Sequence, residues 1–216
     1  MIVTIDGPAA AGKGTLARRL AAALGYVYLD TGAIYRAVAK SMLDAGGDPD
    51  DPGEAAAHAE ALDPAMLADP GLRGEAVGDA ASRVAALPAV RTALLAFQRR
   101  VAATPPGAVL DGRDTGTVIC PEAELKLFVT ASLEERARRR LEELRSKGET
   151  LMLPEVLAEV AARDSRDRTR LTAPLQPADD AVEIDTTGMT PDAVFQTTWL
   201  LAMERLAALQ RGSGGR

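Results

Sequence analysis

The chain has 216 residues, with 25 basic and 31 acidic side chains, one histidine and one cysteine. This length suits one globular domain with a full core, and a net charge of −6 argues against a general nucleic-acid or membrane binder, which needs a basic surface. A lone Cys120 excludes a disulfide within the chain, and with His58 as the lone histidine no zinc site of the usual Cys/His type can be assembled.

Taken in chain order, residues 2–5 form a short apolar run, predicted as a buried strand. Gly7, Pro8, Ala9, Ala10, Ala11, Gly12, Lys13, Gly14 and Thr15 follow, and Leu16, Leu20, Ala23 and Leu24 then set a helical period. Strand, glycine-rich turn and helix together give a phosphate-binding loop. Gly7 and Gly12 let successive N–H groups converge on an anion, and the helix adds the positive end of its dipole. Lys13 would reach the β- and γ-phosphates, and Thr15 would offer its hydroxyl to Mg²⁺.

Further apolar runs at residues 26–29, 108–110, 125–129 and 181–184 alternate with longer helical patterns. The expectation is an α/β fold: a five-stranded parallel sheet flanked by helices, with ligand-binding loops at the strands' C-terminal edge. Residues 7–15, 30–36 and 111–117 each follow a strand and should line that edge. Residues 46–103 break the alternation and read as an insertion beside the core, helical at 54–62 and again from 75 to 103. The tail 211–216 is expected to be disordered.

Several charged residues ask for a ligand. Asp30 or Thr31 is the expected cap of the next helix. Arg36 then sits one turn in, where the dipole disfavours it, and a bound anion would explain it. In residues 111–117, Arg113 is placed on a phosphate, with Asp111 or Asp114 on a polar substrate edge. Arg136, Arg139 and Arg140 are predicted to share one helix face, opposite Leu133, Ala137, Leu141 and Leu144. Arg163, Asp167 and Arg170 align at i, i+4 and i+7 and continue the row of Val156 and Val160. Two such helices joined by Lys147-Gly148 suggest a lid over residues 136–170.

The segments GPAAAGKGT at 7–15, LDTGAIYR at 29–36, AAS at 80–82, VAA at 84–86, DGRDTGTV at 111–118 and RDSRDRTRLTAP at 163–174 resemble the bacterial cytidylate kinase family over nearly the whole length. The resemblance implies a P-loop kinase domain over residues 1–210 that takes MgATP and CMP or dCMP. Its core would be 1–45 and 104–210, with a nucleotide-binding insertion at 46–103. It implies that Arg36 and Arg113 hold the CMP phosphate and that Ser82, Arg91, Asp114 and Arg170 read the cytosine. Arg163 and Asp167 would take the ribose, while Thr31, Tyr35 and Asp111 complete the CMP site. Lys13, Arg36, Arg113, Arg139 and Arg140 are the expected catalytic set. Two departures stand out: Ala10 replaces a usual glycine in the loop, and the insertion is short, without its strand-rich portion. The expected protein is a cytoplasmic monomer without nucleic-acid or membrane partners. From the residues alone, a kinase for UMP, AMP or shikimate and a non-enzymatic nucleotide sensor stay open, although a sensor has no need of the second anion site that Arg36, Arg113 and Arg163 suggest.

Overall fold

The computed structural model describes residues 1–213. Its five strands are β1 (Ile2–Asp6), β2 (Val27–Asp30), β3 (Ala108–Gly112), β4 (Leu125–Thr130) and β5 (Val182–Asp185). They form one parallel sheet in the order β2-β3-β1-β4-β5. β1 lies at the centre, and the strands added after it extend the sheet in both directions. A crevice therefore opens at its C-terminal end, the usual ligand position in such sheets. The register sets carboxylates side by side there, with Ile5 of β1 and Asp30 of β2 both opposite Asp111 of β3.

Both faces of the sheet are covered, so its strands are apolar almost throughout rather than alternating. On one face α1 (Lys13–Leu24) and α8 (Pro191–Ser213) bring Leu16, Ala17, Leu20, Val194 and Ala202 against Val3, Ile5, Val109 and Leu127. On the other, α2 (Thr31–Asp44) and α5 (Pro88–Ala102) bring Ile34, Val38, Val90 and Leu94 against Ala108 and Leu110. Each fully buried leucine or isoleucine here contributes about 2 kcal/mol of transfer free energy.

The α5 helix, at the end of the expected insertion, packs on β2 and β3 as well as on α3, and a further segment of the insertion precedes it. That segment holds α3 (Pro52–Glu60), α4 (Glu75–Val84) and two short 3-10 turns between them, with no strand among the described residues. It is not a loose excursion. Ala55, Ala59, Ala80 and Ala81 are buried in the same cluster as Val38 and Met42 of α2, because alanine lets helix backbones approach closely. By contrast, α6 (Leu133–Ser146) and α7 (Leu153–Thr169) form a hairpin with an apolar cluster of its own, Ala137, Leu141, Leu144, Val156 and Val160.

The disordered tail expected from residue 211 is corrected in part: α8 continues through Ser213, and residues 214–216 lie outside the described residues. Among the described residues no single helix is long and apolar enough to cross a membrane.

Candidate active site

The loop after β1 is shaped by backbone requirements. At Gly7 a Cβ would stand 1.9 Å from the Val129 carbonyl oxygen of β4, and φ is +147°, so only glycine fits. Ala10 adopts φ +58°, the left-handed conformation that the glycine it replaces would take freely. Gly12 caps α1 at φ +89° without a side-chain acceptor, so the first N–H groups of the helix remain open to an anion. Lys13 is buried and donates from Nζ to the Pro8 carbonyl at 2.7 Å. Burial, followed by the nearby Arg113 charge, pushes its pKa down to about 7. Asp111, Asp6 and Asp167 offset this only in part, and the positive helix end beside Lys13 favours negative charge here.

Two cavities meet across Lys13. The larger, about 680 Å³, runs along residues 10–16 to Arg139, Arg140, Thr186 and Val194 and includes Thr15. The smaller, about 280 Å³, is enclosed by Thr31, Tyr35, Arg36, Ser82, Asp111, Arg113, Asp114, Arg163, Asp167 and Arg170, together with Ala9, Ala10, Lys13 and Gly14 of the loop. Almost every residue singled out from the motifs thus converges on one of these two spaces.

In the smaller cavity the arginines are held by carboxylates. Arg36 contacts Asp30 at 2.8 Å, and Arg113 donates from Nε to Asp167 Oδ2 at 2.6 Å. Burial works against the charge of Asp167, but Arg113 outweighs it and holds its pKa below the ordinary value. Arg163 has no direct ion pair among the described residues, although the Asp167 charge lies near it. Burial and then the Arg113 charge bring its pKa down to about 10. Asp114 is gripped from two sides, by Arg91 and by Arg170, the latter at 3.4 Å. Arg91 stands behind the wall rather than in it, bonded to the Ala85 carbonyl and lying over the Tyr35 ring at 5.6 Å.

Four buried polar atoms of this wall have no partner among the described residues: Tyr35 Oη, Arg36 Nε, Ser82 Oγ and Arg163 Nε. Unpartnered buried groups of this kind are costly and uncommon, and four around one cavity suit a site for a polar ligand.

The cap of α2 is Asp30, which accepts from Ala33 N at 2.9 Å. Thr31 is instead the first helical residue, and its hydroxyl donates to the Asp111 carbonyl at 2.9 Å. The arginine face expected on α6 also divides. Arg136 is only 4% exposed and lies inside, bonded to the carbonyls of Ala131 and Ala9 and to Asp164 at 2.6 Å. Asp164 is therefore a buried partner of α6. Arg139 is drawn to Glu135 and Thr186, while Arg140 pairs with Glu143 at 3.0 Å and reaches the walls of both cavities.

Two functional supports have no motif of their own. Asp6, fully buried at the end of β1, accepts from Thr115 N and Oγ1 and from Gly116 N at 2.8–2.9 Å, and so fixes the loop that carries Arg113 and Asp114. A carboxylate closing an otherwise apolar strand was the available signal. Tyr28 donates to Asp111 Oδ1 at 2.8 Å from the neighbouring strand, and nothing local in the sequence foretells it.

A lysine-bearing loop at the centre of a parallel sheet, open to two spaces that share its lysine, defines a phosphotransferase of the phosphate-loop class. Comparison with known proteins narrows the class. The chain belongs to the cytidylate kinase family, whose model matches residues 3–203. It is 60% identical over 185 residues to the cytidylate kinase of Rhodopseudomonas palustris strain BisB18, covering 86% of this chain and 87% of that protein. It is 58% identical over 197 residues to the cytidylate kinase of Paramagnetospirillum magneticum, covering 90% and 93% respectively. Among solved structures, an uncharacterized protein from Eubacterium ventriosum shares the fold with a TM-score of 0.53 at 14% identity, over 92% of this chain and 95% of that one.

Proposed function

We propose that this protein transfers the γ-phosphoryl group of ATP to CMP and dCMP, giving ADP and CDP or dCDP. ATP would occupy the larger cavity with its phosphates on the amides of residues 7–15. The monophosphate would occupy the smaller one with its phosphate between Arg36 and Arg113. Ser82, Asp114 and Arg170, with Arg91 behind them, would meet the cytosine, and Arg163 and Asp167 the ribose. The observation that carries this reading is the set of unpartnered atoms on Tyr35, Arg36, Ser82 and Arg163 around one cavity, to which the phosphate, base and sugar of a nucleotide would supply partners.

The attacking phosphate oxygen is already ionised at neutral pH, so no general base is needed. Catalysis then reduces to alignment and to positive charge around the phosphoryl group in flight. Lys13 and the arginines would supply that charge, and each contact would gain in strength as closure expels water. The α6–α7 hairpin, which brings Arg139 and Arg140 to the donor side, would act as the lid.

The residues present fit Mg²⁺. Thr15 offers a hydroxyl and Asp111 a carboxylate, hard oxygen donors of the kind that hold this ion together with nucleotide phosphates. The described residues contain no cluster of three or more His, Cys, Asp or Glu able to cage a metal unaided, so the ion would arrive with ATP. When bound, it would supply positive charge to offset that of the nucleotide phosphates.

Initial rates with MgATP across CMP, dCMP, UMP, AMP and shikimate test the assignment. CMP and dCMP should lead the panel by at least an order of magnitude. A preference for AMP, or ATP consumption with no phosphorylated acceptor, would defeat it.

A further inference from the structure

The two cavities share five long side chains at their junction: Lys13, Arg18, Arg73, Arg140 and Glu143. Arg140 is matched to Glu143, and Arg18 lies over the Tyr28 ring at 5.7 Å. Lys13 is tied to Pro8. Arg73 differs from all of these. It is exposed and has no ion pair, hydrogen bond or ring contact among the described residues, although three other cations line the same junction. Glu143, the acid of this junction, is engaged by Arg140 and Lys147, which leaves Arg73 with no carboxylate partner among the described residues.

Its carrier is nevertheless fixed. Arg73 ends the 3-10 turn Pro70–Arg73, which Asp69 caps by accepting from Gly71 N at 2.7 Å. Leu72, next to it, is 3% exposed and anchors the turn in the core. Asp69 also reaches Lys40 of α2 at 3.6 Å, and α2 is the helix that carries Arg36. The insertion therefore presents Arg73 to the junction from a base shared with the acceptor-side arginine.

We propose that Arg73 is a further catalytic residue, contacting the phosphoryl group as it crosses between the two nucleotides. This rests on the kinase reading above. In the step itself, the bond from the γ-phosphorus to the β,γ-bridging oxygen breaks and its electron pair stays on ADP. A CMP phosphate oxygen forms the new bond to phosphorus, and Arg73 stays protonated throughout. Its guanidinium gains most when charge is spread over the equatorial oxygens, so it acts on turnover more than on binding of either nucleotide alone.

The test uses Arg73→Ala and Arg73→Lys in the full chain, with steady-state CDP formation and separate calorimetric titrations of CMP and ATP. Arg73→Ala should lower kcat by about 10- to 100-fold, with the dissociation constant of each nucleotide within about threefold of wild type. Arg73→Lys should recover part of the loss. A kcat within twofold of wild type, or a change confined to KM for CMP, would overturn the role of Arg73 and leave the kinase assignment standing. Absence of CDP formation by the wild-type protein would instead bring down both.

Discussion

The donor and acceptor sides of the phosphate loop are built by opposite means. On the donor side the anion would meet main-chain amides, placed by Gly7, Ala10 and Gly12 and by the start of α1. On the acceptor side it would meet guanidinium groups that already have carboxylate companions: Asp30 on Arg36, Asp167 on Arg113, Asp114 on Arg91 and Arg170. Amides need only the right backbone angles to be ready. Long arginines need partners to hold their shape, or ordering them would be charged to every binding event. Main-chain recognition is therefore tolerant of side-chain identity, as Ala9, Ala10 and Ala11 show, whereas the acceptor side depends on particular residues far apart in sequence.

Five experiments probe this contrast. Lys13→Ala should have the largest effect, lowering kcat by about 10³-fold or more while CMP affinity moves only a few-fold and the melting temperature does not fall. Turnover within tenfold of wild type would undo the donor assignment. Arg136→Ala should destabilise the protein by about 3–5 kcal/mol, because it strands Asp164 in the interior; for a chain of this size that is a drop of roughly 10 °C on thermal melting. A double change of Arg136 and Asp164 to leucine should recover much of it.

Ser82→Ala belongs to the acceptor side alone. It should raise KM for CMP by about five- to tenfold, the worth of one hydrogen bond, and leave ATP binding as it was. The fourth experiment concerns Lys13 and pH. Its ammonium is disfavoured in the free protein, with a pKa of about 7, and bound phosphate favours the charged form. ATP binding should then take up a proton above pH 7 and weaken as pH rises towards 9, by at most about tenfold per pH unit. Calorimetry at pH 8 in buffers of different ionisation enthalpy reads this directly, and no uptake would mean that Lys13 stays charged in the free protein. The smallest effect is expected for Ala10→Gly. Relief of roughly 1 kcal/mol of left-handed strain is offset by the extra freedom of glycine in the unfolded chain. Unfolding stability should move by less than about 1 kcal/mol, and kcat should stay within twofold.

The sheet was largely legible because each strand is a short apolar run closed by an acid, a glycine or a turn, and all five runs became strands within a residue or two of their expected bounds. The loop at residues 7–15 was legible for the same local reason. Arg136 was not. Spacings of three and four place it equally well beside Arg139 and Arg140 or beside Ala137, and the choice was made by Asp164 on another helix. The packing of the insertion was hidden in its alanines, which read as weakly apolar in sequence but let α3 and α4 sit closely against α2 and α5. Tyr28 and Arg73 escaped notice because their importance lies in what the topology brings opposite them.

The Arg136 arrangement has a mechanical consequence. The α6–α7 hairpin keeps its buried apolar residues to itself, so it can rock against the sheet without exposing much greasy surface. Arg136 passes through its base and ends on the Ala9 carbonyl, within the phosphate loop. Through that bond a tilt of the hairpin would be felt at Ala9, and a shift of that peptide would pull on the hairpin in return.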